Sequence, residues 1–69
     1  MAQINTAKIR ELRESHKLTT AEVAEQLGVS APLITHYEVG RRTPSLDTIV
    51  LLAKLYGTTV DELLKDVEE

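Results

Sequence analysis

Three glycines, Gly28, Gly40 and Gly57, punctuate this chain. Each closes a stretch of helically spaced apolar residues. Each is followed within a few residues by a Ser or Thr able to start the next helix. The pattern dictates short helices joined by tight turns. A first helix is predicted from residue 5 or 6 to residue 15, with Ile9 and Leu12 inward and Lys8, Arg10, Glu11 and Glu14 outward. The second starts at the capping box Thr19-Thr20-Ala21-Glu22, buries Val23, Ala24 and Leu27, and stops at Gly28. Ser30 caps the third, which carries Pro32 in its first turn, where no intrahelical N–H is lost, and ends before Gly40. After the loop Arg41-Arg42-Thr43-Pro44, Ser45 caps a fourth helix running from Leu46 to Tyr56. A second box, Thr59-Val60-Asp61-Glu62, opens a short fifth helix carrying Leu63 and Leu64. Nothing is left for a strand. The expected fold is all-α, a compact five-helix domain over residues 1–69.

Sixty-nine residues allow one domain with a modest core. Tyr37 and Tyr56 are the only aromatics, so that core is aliphatic. The absence of Cys excludes disulfides and thiolate metal sites. The longest apolar run, Ile49 to Ala53, falls far short of the ~20 residues of a membrane span. The first residues lack the basic and apolar regions of a signal peptide, so the expected location is cytoplasmic. The net charge of −3 argues mildly against a nucleic-acid partner, but its distribution weakens that objection. Residues 61–69 hold five carboxylates against Lys65, whereas residues 1–60 hold seven Lys and Arg against six Asp and Glu. The local field on one face matters for binding phosphate, not the total.

The informative segment runs over about residues 19–39. Two short helices are separated by Leu27-Gly28-Val29-Ser30: Gly28 permits the sharp turn, Val29 plugs the corner and Ser30 starts the second helix. This is the spacing of a helix-turn-helix, which projects its second helix from the surface. The run Leu18 to Ser30, then Ile34-Thr35-His36-Tyr37-Glu38, then Gly40-Arg41-Arg42-Thr43-Pro44-Ser45-Leu46 resembles the phage repressor, Cro and Xre-type helix-turn-helix family. The resemblance continues through Leu52-Ala53-Lys54 to Val60-Asp61-Glu62-Leu63-Leu64. It implies a five-helix, lambda-repressor-like domain from a bacterium or phage. It further implies operator binding through the major groove, usually as a homodimer on near-palindromic double-stranded DNA. Two positions depart from the family pattern. Thr20 stands where Gln is common, and Ala31, Pro32 and Leu33 stand where Gln, Arg, Asn or Lys are common. None of these last three can hydrogen-bond a base edge; they offer apolar contact to a thymine methyl instead.

The candidate DNA-binding residues are therefore Thr20, Ser30, Ala31, Pro32, Leu33, Thr35, His36, Arg41 and Arg42. His36 is read as a base or phosphate contact, against a solvated surface histidine. For Thr35 a hydroxyl bonded back to its own helix is an equal alternative. Arg41 and Arg42 are read as a phosphate clamp, against a merely solubilising loop. Arg13 and Glu38 match the family's interhelical ion pair, a structural role, with phosphate binding by Arg13 as the alternative. Tyr37 is read as core. His16 and His36 lack supporting ligands, so no metal is expected. Leu46, Ile49, Leu52 or Ala53, and Tyr56 are expected to fill the core face of the fourth helix, leaving Val50, Leu51 and Leu55 over. Leu51 and Leu55, spaced i, i+4, suggest a dimer contact near helices four and five that also draws on Tyr56 and Val60.

No nucleophile–base constellation, Gly-rich phosphate loop or room for a cleft points to an enzyme, and no cofactor, membrane or small-molecule ligand is implied. The leading reading is a sequence-specific transcriptional regulator, most simply a repressor. The alternative is a protein-interaction module, such as an antitoxin or anti-repressor, that keeps the scaffold with weak base readout.

Overall fold

The computed structural model describes residues 2–66, and the side chains of residues 3–64. Its elements follow in the order β1 (Ala2–Ile4), α1 (Thr6–Ser15), α2 (Thr20–Leu27), α3 (Ala31–Val39), α4 (Leu46–Tyr56) and β2 (Leu64–Asp66). A single 3-10 turn, Asp61–Leu63, precedes β2. Side-chain caps set three helix starts. Asn5 Oδ1 accepts the Lys8 N–H at 3.1 Å, and Ser45 Oγ accepts the Thr48 N–H at 3.2 Å. At α2 the capping box is complete: Thr19 Oγ1 accepts from the Glu22 N–H at 3.1 Å, and Glu22 Oε1 from the Thr19 N–H at 2.9 Å. Glycine ends α2, α3 and α4. Helix α1 ends at a non-glycine residue, Lys17, held at φ +57° while the Leu18 N–H reaches back to the Arg13 carbonyl at 3.1 Å.

The core gathers one apolar stripe from each helix. Ile9 comes from α1, Val23 and Ala24 from α2, Ile34 and Tyr37 from α3, and Ile49, Leu52, Ala53 and Tyr56 from α4. Leu63, fully buried, closes the assembly from the 3-10 turn. Among the described residues these ten side chains form one hydrophobic cluster, in which each large aliphatic contributes on the order of 2 kcal/mol. Among the described residues no helix is long and apolar enough to cross a membrane.

The structure departs from the sequence expectation at three places. Among the described residues there are four α-helices, not five. Thr59 Oγ1 does accept the Glu62 N–H at 3.2 Å, so the second cap is half formed, but the helix stops after one 3-10 turn. A lone turn gains little hydrogen bonding against the cost of nucleation, and the burial of Leu63 decides the local path instead. The chain then extends, and β2 pairs antiparallel with β1 in the register Ala2↔Asp66, Gln3↔Lys65, Ile4↔Leu64. The Asn5 N–H, bonded to the Leu63 carbonyl at 2.8 Å, continues this ladder into the first residue of the helical region. The third departure is Leu46, expected in the core but 68% exposed. It occupies the first turn of α4, one turn before Ile49, beyond the end of the packed stripe, while Pro44 is buried nearby.

Candidate nucleic-acid interface

Helices α2 and α3 form the unit that positions the candidate surface. Gly28, at φ +70°, lets the Val29 N–H bond the Ala24 carbonyl at 3.0 Å, which turns the chain sharply after α2. Val29 packs against the core from the turn, and Ser30, in extended conformation, starts α3. Ser30 makes no side-chain capping bond and is exposed, so its hydroxyl is free to meet an outside partner.

The burial of α3 follows from helical periodicity. Ile34 and Tyr37 face the core, and Pro32, Thr35 and Val39 face solvent, with His36 half-buried at the border. Ala31 and Leu33 lie partly against the core, so Pro32 alone of the three apolar residues opening α3 stands fully clear. Thr20 is half-buried at the start of α2. Beyond α3, both the Arg41 and Arg42 N–H groups return to the His36 carbonyl, at 2.9 and 3.3 Å. The two arginines are thereby folded back onto the last turn of α3. Both are exposed, and neither joins an ion pair among the described residues. Gln3, Ile4 and Leu64 of the strand pair border one depression together with Gly40, Arg42 and Thr43, so the unexpected sheet sits behind this basic loop. The alternation of Ala2 and Ile4 was the one sequence signal for it.

The pair that fixes α3 against α1 is bidentate. Arg13 Nε donates to Glu38 Oε2 at 2.7 Å and Nη2 donates to Oε1 at 3.1 Å. The remaining arm, Nη1, donates to the Leu18 carbonyl at 2.9 Å, tying in the approach to α2. Hydrogen bonding to Glu38 holds the Arg13 guanidinium even further above its ordinary range. All three guanidinium nitrogens of Arg13 are thus engaged inside the domain, and its side chain is only 14% exposed, which fits a structural role.

Tyr56 packs beside this pair. His16 tilts against its ring at a centroid separation of 5.7 Å, and His16 Nδ1 donates to the Leu12 carbonyl at 2.8 Å. At 3% exposure Tyr56 is a core residue and drops out of the expected dimer contact. Its hydroxyl has no hydrogen-bond partner among the described residues. Burial, with the negative charge of Glu38 adding to it, pushes the phenol up to about 12. The folded state thus keeps a proton that the unfolded chain releases near pH 10. Stability from this source is complete below pH 10 and is lost as pH rises towards 12. Tyr56→Phe should leave stability at pH 7 unchanged or raised by up to about 1 kcal/mol, because no bond is lost. It should also flatten the alkaline fall. Chemical denaturation from pH 8 to 12 checks both, and a large loss at pH 7 would show that the hydroxyl is bonded.

The remaining candidates for a dimer contact divide. Leu51 is 46% exposed, whereas Leu55 and Val60 are half-buried and packed against the core. The expected ridge reduces to Leu51 with the outer edges of its neighbours.

A family model described as helix-turn-helix matches residues 9–63. The cryptic phage CTXphi transcriptional repressor RstR of Vibrio cholerae is 41% identical over 63 residues, covering 91% of this chain and 57% of that protein. The HTH-type transcriptional regulator DdrOP3 of Deinococcus deserti is 41% identical over 61 residues, covering 88% of this chain and 47% of that protein. The chain spans about half the length of the curated relatives it matches. Among solved structures, the P22 c2 repressor in complex with a synthetic operator superposes with a TM-score of 0.84 at 28% identity, covering 91% of this chain and 96% of that one. With its turn at Gly28, its core and its basic loop all inside the matched span, the chain belongs to the helix-turn-helix family.

Proposed function

We propose that this chain is the DNA-binding unit of a transcriptional repressor, and that it acts as a homodimer on a near-palindromic operator with α3 in the major groove of each half-site. The observation that carries the reading is the solvent face of α3, which serves no core role and is flanked by two exposed arginines folded onto its last turn. A helix of this diameter fits the major groove, and cations at its border meet the phosphates on either side. The named relatives, a phage repressor and a transcriptional regulator, support the same reading. Base readout rests on Pro32, Thr35 and His36, with Ser30 and Thr20 at the edge. Selection of bound sites from a random duplex pool tests this directly. Enrichment of a site with two inverted halves, about one helical turn apart, is expected. A pool that stays random favours the protein-interaction reading, to which the lack of base hydrogen-bonding groups in the first turn of α3 lends support.

The proposed two-fold contact centres on Leu51. Leu51→Glu places a charge opposite its own copy across the axis and should yield a folded monomer with operator affinity lowered roughly 10-fold or more. Sedimentation checks it, and a variant that still dimerises would place the contact elsewhere.

A further inference from the structure

Val39 was no candidate in the sequence, yet it is 61% exposed in the last turn of α3. Lone exposed apolar side chains are ordinary. Val39 differs in its position. Seven residues after Pro32, it returns to the same side of the helix, since seven steps of about 100° make nearly two full turns. Thr35 lies on this stripe between them, with His36 at its margin. The solvent face of α3 is thus apolar at both ends and polar in the middle. The backbone bonds from Arg41 and Arg42 to the His36 carbonyl bring the chain carrying two exposed arginines back to the end of α3 that bears Val39, so a partner that is anionic overall and apolar locally suits this end. A duplex presents that combination where a thymine methyl stands between phosphates.

We infer that Val39 reads a thymine C5-methyl group, a second apolar readout beside that of Pro32; the inference rests on the DNA-binding reading above. The two side chains are about 10.5 Å apart along the helix axis at about 1.5 Å per residue. At about 3.4 Å of axial rise per base step, and along a groove that runs obliquely to the duplex axis, that separation spans about two to three base pairs. Each half-site then carries two methyl-sensitive positions about two to three base pairs apart, with Thr35 and His36 serving the steps between.

The test replaces each thymine of the selected operator, one at a time, by uracil, which removes only the methyl, and measures binding of the full chain. Two positions per half-site should each lose about fourfold in affinity, on the order of one buried methyl group. Val39→Ala should bind the unmodified operator about fourfold more weakly and lose sensitivity at the position further from Pro32, with the nearer one unchanged. Its melting temperature should match the parent, because the side chain lies outside the core. A Val39→Ala variant with the parent's methyl map overturns the inference while leaving DNA binding intact. So does a parent whose methyl sensitivity is confined to the Pro32 end. Failure to bind any duplex overturns both readings together.

Discussion

Glu38→Ala lowers the free energy of unfolding by about 3 kcal/mol, a large share of what a domain of this size has. The Glu38 side chain is 5% exposed and that of Arg13 14% exposed, so water is poorly placed to replace the lost carboxylate. Arg13 cannot escape by losing its proton, because an arginine stays charged throughout the accessible range. Truncation therefore strands a cation between α1 and α3 with the Leu18 carbonyl as its remaining hydrogen-bond partner among the described residues. A loss of this size corresponds to roughly 15 °C in melting temperature for a chain of this length. Operator preference should change little among molecules that remain folded, since neither residue faces outward. A thermal melt within two or three degrees of the parent would show that the pair contributes little, as solvent-screened pairs do.

Arg41→Ala combined with Arg42→Ala should weaken binding on the order of 30-fold, from two charge-assisted contacts of about 1 kcal/mol each. The loss should be nearly the same for operator and unrelated duplex, because phosphate contacts carry no sequence information directly. The dependence of log affinity on log salt should flatten by about two units, close to one per phosphate released. The fold should be unaffected, as both side chains are exposed and outside the ion pairs of the domain. Binding titrations at several salt concentrations measure all of this. A variant that lost discrimination instead of affinity would place an arginine on a base edge.

Local chemistry made most of this fold legible in the sequence. The capping box at Thr19 and Glu22, the cap at Ser45 and the left-handed stop at Gly28 are short-range devices, and each stands where its residues put it. Arg13 and Glu38, twenty-five residues apart, were legible only through the family resemblance, since spacing alone says nothing about a contact between helices. The segment after Gly57 is ambiguous in sequence, because a half-formed cap and two leucines fit a helix as well as they fit a turn followed by a strand. Deciding between them needs Ile4 opposite Leu64, a pairing across almost the whole chain. Lys17 escaped for the opposite reason: nothing in a lysine announces a left-handed backbone, which the packing of Leu18 and the bond to Arg13 impose. At the candidate interface, the residue types opening α3 are plain in the sequence, but their orientation is not. Ala31 and Leu33 turn partly to the core, and Val39, exposed at the other end of the helix, carries no signal of its own beside its glycine.

Whether the α3 face and its arginines bind a defined duplex is decided by titrating the selected operator and a scrambled duplex of equal length against the chain between about 50 and 300 mM salt. The operator affinity should be at least about 10³-fold tighter than that for the scrambled duplex, with both falling linearly on a log-log scale with a slope of several units. Equal affinity for the two duplexes, or an affinity indifferent to salt, would contradict it.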